Sequence, residues 1–160
     1  MPIVPPEREH AVELADGRRL GVAEFGDAAG TPEFRLHGTP GARRQVPPAA
    51  RRLARSENLR VVGVERPGVG QSTPHLYDSV AEFAADIEEL ADRLEIERFG
   101  LVGLSGGGPY VLGCAHAMPD RVVAGAVLGG VAPTCGVDAA AGGAMRLAVP
   151  LETIINLVRE

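Results

Sequence analysis

A chain of 160 residues, 45% hydrophobic and 23% charged, is long enough for one domain with a substantial core and has the balance of a globular protein. The net charge is −5 and all sixteen basic residues are arginine, which gives no reason to expect nucleic acid or an anionic membrane as a partner. The two cysteines, Cys114 and Cys135, make no disulfide framework. The amino terminus lacks the basic and then apolar pattern of a secretory signal. No apolar run reaches the about 18 residues that span a bilayer. The expected compartment is the cytoplasm, with no membrane span.

In chain order, residues 11–14 and 20–25 are apolar stretches flanking Asp16-Gly17, a hairpin turn signal. A third strand is predicted over residues 33–36, ending in His37-Gly38-Thr39-Pro40-Gly41. Residues 48–57 predict a helix with Arg51, Arg52 and Arg55 on its polar side. Residues 60–65 read as a buried strand, followed by the loop Arg66-Pro67-Gly68-Val69-Gly70-Gln71-Ser72. The clearest helix follows. Ser79 and Glu82 have capping-box spacing, and Val80, Phe83, Ala84, Ile87, Leu90, Ala91 and Leu94 recur on one helical face.

Residues 98–104 are nearly all apolar, as in a parallel strand buried on both faces. They run into Gly103-Leu104-Ser105-Gly106-Gly107, a Gly-x-Ser-x-Gly pattern. Pro109 then falls in the first turn of a helix over residues 110–118, where its missing N–H costs nothing. Strand, serine turn and helix in that order are the context of a nucleophile elbow, in which a strained turn lifts the hydroxyl out of the strand end. The implied chemistry is attack by an activated hydroxyl, and so acyl transfer or hydrolysis. Gly-rich turns also cradle phosphate, but the Lys-Ser/Thr pair of the P-loop is absent here. Residues 121–128 predict a last strand.

Alternation of strands and helices after an opening hairpin predicts an α/β fold, a mostly parallel sheet flanked by helices. In such sheets sites lie at the carboxyl ends of the strands, where residues 37–39, 66–72, Ser105 and Gly129-Gly130 converge. Residues 1–136 are expected to form this core. Residues 137–160 differ: an Ala- and Gly-rich stretch precedes Leu147, Leu151, Ile154, Ile155 and Val158 at helical spacing, read as the start of a cap.

With these pieces in order, residues 10–135 resemble the α/β-hydrolase superfamily in its serine-nucleophile branch. The resemblance rests on the His37 to Gly41 segment, the Arg66 to Ser72 segment and the Ser105 elbow. It implies Ser105 as nucleophile and the N–H groups of Thr39 and Gly106 as the oxyanion hole. It also implies a core incomplete at its carboxyl-terminal end. The family's triad runs Ser, then Asp or Glu, then His, and no histidine follows His116. Neither Asp120, at a helix end, nor Asp138 recommends itself as the acid. His37 is read as a structural residue bonding local backbone, and His10, His75 and His116 as surface or loop histidines.

Two smaller departures from the family are Glu65, where relatives often have Asp, and the charged pair Glu33 and Arg35 within a strand. Both are expected to reduce local sheet stability. The expected function is hydrolysis of a carboxylic ester or related small acyl substrate, with no cofactor and no metal. The alternatives are an amidase, peptidase or C–C hydrolase of the same fold, and a truncated, catalytically inactive relative. Epoxide hydrolases and haloalkane dehalogenases resemble the chain but carry aspartate at the nucleophile position. Without its last strands, such a core is expected to self-associate through an open sheet edge.

Overall fold

A computed structural model describes residues 5–133, 137 and 139. The chain divides at Gly130 into two units, and the elements described here belong to the first. The expected cap segment lies outside the described residues apart from positions 137 and 139. Among the described residues six strands form one sheet: β1 (Arg8–Glu13), β2 (Arg19–Gly26), β3 (Thr31–Leu36), β4 (Leu59–Val64), β5 (Phe99–Leu104) and β6 (Val122–Leu128). Three helices connect them: α1 (Pro48–Ser56) before β4, α2 (Phe83–Arg93) before β5 and α3 (Gly108–Ala117) before β6. The spatial order is β1-β2-β4-β3-β5-β6. β1 pairs antiparallel with β2 and β2 with β4, whereas β4, β3, β5 and β6 run parallel. The opening hairpin and the mostly parallel sheet are both as the sequence predicts.

Strand alternation sends neighbouring side chains to opposite faces. Val22, Val62 and Val64 join Phe34, Leu36, Phe99 and Leu101 in the larger core, while Ala23, Phe25 and Val61 pack with Ala54 of α1 in a smaller one. α2 closes the larger core with Phe83, Ala84, Ile87, Leu90 and Ala91. Fully buried side chains such as Ile87 and Leu90 each contribute about 1.5–3 kcal/mol of transfer free energy. α3 adds Val111 and Cys114 to the same side. The Cys114 thiol is buried and free, and burial pushes its pKa up to about 12.

Two expectations need correction, the capping box and the place of Arg51. The capping box does not form. α2 begins at Phe83, and the Glu82 carboxylate accepts the Asp78 N–H at 3.1 Å instead of reaching Ser79. The chain before α2 turns to pass α3 closely, where a Cβ on Gly113 would meet Val80 O at 3.1 Å and Ala81 Cα at 3.2 Å. Val80 is left largely exposed. Arg51 is not on a polar face but buried. Its Nε donates to Val46 O at 2.7 Å, another nitrogen donates to Arg44 O at 2.6 Å, and the guanidinium lies over the Phe25 ring. A planar fork over an aromatic face can be buried where its donors find carbonyls. Glu33 and Arg35 leave no orphaned charge, because the Arg35 guanidinium donates to Glu33 Oε1 at 3.0 and 3.2 Å.

Charged pairs fasten the opening hairpin to α2. Arg18 donates to both oxygens of buried Asp86 at 2.7 Å, and Tyr77 OH donates to the same carboxylate. Desolvation and Asp86 together raise the Tyr77 pKa well above the usual phenol range. Among the described residues, no helix is long and apolar enough to cross a membrane.

Candidate active site

Parallel register sets the site. Leu36 at the end of β3 pairs with Val64 of β4 and with Gly103 of β5. The three following segments, from His37, Glu65 and Ser105, therefore leave the sheet side by side at its carboxyl end. β5 ends in a 3-10 turn, Ser105–Gly107, that opens directly into α3. Ser105 has φ +49°, a left-handed conformation that costs a non-glycine residue of order 1–3 kcal/mol and persists only where packing enforces it. The packing is on view. A Cβ on Gly103 would meet Gly107 O at 2.5 Å and Val111 Cγ2 at 2.6 Å, and one on Gly107 would run into Leu36 O. The two glycines flanking the serine are thus required by backbone crowding.

The segment after β3 lies against this turn. A Cβ on Gly38 would come within 3.5 Å of Ser105 Cβ, and one on Gly106 would stand 2.8 Å from Thr39 Oγ1 and 3.6 Å from Thr39 N. The structure therefore brings Thr39, Ser105 and Gly106 together. Ser105 is half-buried, and among the described residues its hydroxyl makes no hydrogen bond to a histidine or carboxylate.

His37 is buried and fully engaged by its surroundings. Nδ1 donates to Gly38 O at 2.7 Å, and Nε2 accepts the Arg66 N–H at 3.2 Å. A carbonyl can only accept and an amide N–H can only donate, so the neutral Nδ1–H tautomer satisfies both. Burial holds the imidazole pKa below its usual range, against the opposing pull of the Gly38 carbonyl.

Sequence reasoning assigned no role to Arg66, Gln45 or Tyr110, yet they organise this corner. Arg66 donates to His37 O at 2.7 Å, Gly38 O at 3.1 Å and Thr39 Oγ1 at 2.8 Å. Its guanidinium stacks on Tyr110 of α3, 5.2 Å from the ring centroid. The Gly38 N–H donates to Gln45 Oε1 at 2.7 Å. One signal is available in the sequence: an arginine two residues after the buried strand β4, whose neighbour β3 runs into His37-Gly38.

Glu65 is buried but satisfied. It accepts from Arg43 at 2.6 Å and from the Gln71 N–H at 2.8 Å, and a Cβ on Gly70 or Gly21 would run into its carboxylate. The longer acid is accommodated by glycines on both sides, so the expected loss of stability finds no orphaned group to cause it. A cleft lined by Asp92, Glu97, Arg98 and Arg121 opens at the amino ends of β5 and β6, away from Ser105. Arg121 spans it through Ile96 O, Glu97 O and Asp92, a structural arrangement. Among the described residues, no group of three or more His, Cys, Asp or Glu side chains is placed to hold a metal ion.

A strand, a serine turn at positive φ and a helix at the carboxyl edge of a mostly parallel sheet define a class of enzyme fold, and the family profile described as alpha/beta hydrolase fold matches residues 35–146. The chain belongs to the α/β-hydrolase family. It is 30% identical over 131 residues to a proline iminopeptidase of Arabidopsis thaliana, covering 80% of this chain and 34% of that protein. It is 32% identical over 139 residues to a probable proline iminopeptidase of Streptomyces coelicolor, covering 82% of this chain and 42% of that protein. Among solved structures, a putative acyltransferase from Salmonella enterica superposes with a TM-score of 0.69 at 32% identity, covering 84% of this chain and 45% of that one. The chain thus spans less than half the length of each of these relatives.

Proposed function

We propose that the protein is a serine hydrolase with Ser105 as nucleophile and the N–H groups of Thr39 and Gly106 as its oxyanion hole, acting on a carboxylic ester or related acyl compound. The observation that carries the reading is the positive φ of Ser105 at the end of β5, with Thr39 N held beside Gly106. In this reading the serine oxygen adds to the acyl carbon, and charge develops on the former carbonyl oxygen. Two fixed N–H donors stabilise that charge, each worth about 2.7–4 kcal/mol of barrier. The leaving group departs from the tetrahedral intermediate, and water then releases the acyl group from the serine.

The base is not among the described histidines. His37 has both nitrogens engaged, and no other described histidine is hydrogen-bonded to the serine. We assign the acid and histidine of the triad to sequence outside the described residues, and residues 137–160 to the start of a substrate-selecting cap. An in-frame Asp or Glu followed by His downstream of codon 160 supports this assignment. A stop codon there favours the inactive, hydrolase-like alternative, for which we propose self-association through the edge strand β6. A second reading has a specific support: the relatives named above as proline iminopeptidases favour an amide substrate over an ester.

The test is labelling of the full-length protein with a fluorophosphonate probe. The wild type should label and Ser105→Ala should not; equal labelling of both overturns the nucleophile assignment. Turnover of a p-nitrophenyl ester against an N-terminal prolyl anilide then separates the two substrate readings.

A further inference from the structure

We infer that Arg66 is a positioning residue for the oxyanion hole: by gripping the Gly38 carbonyl, its guanidinium fixes and polarises the peptide unit whose other end is the Thr39 N–H. The inference rests on the reading of Thr39 as an oxyanion donor. A peptide group is one conjugated unit, so electron density drawn toward a hydrogen-bonded carbonyl oxygen leaves its N–H a stronger donor. Gly38 O receives two such bonds, from His37 Nδ1 at 2.7 Å and from Arg66 at 3.1 Å. The preceding peptide is held at both ends, with His37 O accepting from Arg66 at 2.7 Å and the Gly38 N–H donating to Gln45 at 2.7 Å. A further Arg66 bond at 2.8 Å fixes the Thr39 hydroxyl. The segment from His37 to Thr39 has little freedom to rotate away from the serine turn.

Two more features single out Arg66. It ties this segment to the nucleophile side, because its guanidinium stacks on Tyr110 in the first turn of α3. The second feature is its charge. Among the described residues no carboxylate pairs with it, whereas Arg18, Arg43 and Arg60 all have carboxylate partners. A cation balanced only by carbonyl dipoles and a ring face keeps its field for the peptide it touches. Lysine cannot substitute, because a single ammonium does not span two carbonyls and a hydroxyl in one plane.

The experiment uses the full-length protein and two independent readouts. The first is the rate of fluorophosphonate labelling. Loss of a whole oxyanion donor costs about 10²–10³-fold, and a donor left in place but loosened and less polarised should cost about 10–10²-fold. Arg66→Met is therefore expected to label about 10–10²-fold slower, with Arg66→Lys closer to Met than to wild type. In Arg66→Ala, millimolar guanidinium should restore part of the rate while urea does not, a rescue that a purely structural role would not show. The second readout is the amide proton resonance of Thr39. It should move upfield in Arg66→Met and in Arg66→Lys. Unchanged labelling in Arg66→Met, with Ser105→Ala unlabelled, overturns the inference. A wild type that does not label removes the nucleophile reading, and the Thr39 resonance then decides the role of Arg66 alone: a shift sustains it and no shift overturns it.

Discussion

Strands β4 and β6 are almost the same in composition, Leu-Arg-Val-Val-Gly-Val against Val-Val-Ala-Gly-Ala-Val-Leu, yet four of six residues are buried in the first and none of seven in the second. β4 lies between β2 and β3, with α1 packed on its Val61 side and α2 in the core on its Val62 side. Among the described residues β6 is the last strand and pairs with β5 alone, and Val123, Val127 and Leu128 remain about half exposed. Apolar composition therefore qualifies a segment for a sheet without fixing its place there. The difference extends to the loops. Arginines 43, 51 and 66 fasten the chain after β3 around the end of β4, and the proposed oxyanion segment is part of what they fasten.

The same chemical change in the two strands should have opposite consequences. A Cβ on Gly63 in β4 would run into the backbone carbonyl of Arg43, whereas one on Gly125 in β6 meets only Val111 Cγ1, at 3.2 Å. Gly63→Ala is expected to destabilise by about 3 kcal/mol and Gly125→Ala by less than about 1 kcal/mol. Urea unfolding of both variants checks this, and equal losses would break the contrast. Truncation of side chains gives a smaller version of the same test. Val62 is fully buried and Val123 about half exposed, so Val62→Ala should cost about 2 kcal/mol and Val123→Ala less than about 0.5 kcal/mol.

Acidification probes the fastened end through His37. Burial depresses the His37 pKa from the usual 6.5, so the unfolded chain binds a proton more readily than the folded one. The resulting stability is fully present above pH 6.5 and is lost as pH falls from there through the lower folded value. Urea midpoints of wild type should decline over that window, and His37→Gln should flatten the slope. The Glu9 and Asp16 carboxylates are also shifted, downward by bonds to Arg44 and Arg18 respectively. The smallest expected effect on stability belongs to β6. Val127→Glu should change it by less than about 0.5 kcal/mol while moving any self-associated 160-residue chain toward monomer, because edge charges oppose strand-to-strand pairing. Light scattering after gel filtration measures that shift, and an unaltered distribution would exclude β6 as the contact.

What was legible in the sequence was local. The Asp16-Gly17 turn closes with the Gly17 N–H donating to Leu14 O at 3.0 Å, and the serine turn is legible from its Gly-x-Ser-x-Gly spacing, with Gly103 crowded by the nearby Gly107 and Val111 although Gly107 itself meets the distant Leu36 O. The capping box failed because its geometry depends on α3, where the chain at Val80 and Ala81 packs against Gly113. Arg51 reads as a polar-face residue because helical spacing says nothing of the Phe25 ring and the loop carbonyls that it meets, and the grip of Arg66 is not legible because His37 O and Gly38 O lie on another strand end. Glu65 looks like a departure in the sequence because two of its surroundings, Arg43 and the space at Gly21, are distant in the chain. The equal apolarity of β4 and β6 carried no information on which would be covered, since sheet order is set by pairing.

The docking of Gly107 against Leu36 O and His37 O also imposes an order of events on synthesis. The strand end that receives the serine turn is made early, and α1, β4 and α2 are all translated before β5 supplies the turn. Until then the side of β3 destined for β5 is an open edge, available to chaperones or to the wrong strand. Closing so long a loop is slow compared with forming the hairpin of β1 and β2. The meeting of Thr39 with the serine turn is therefore a late event in the making of this sheet. A product that stops short of Gly107 would have much of the sheet, and the Thr39 segment without the turn it packs against.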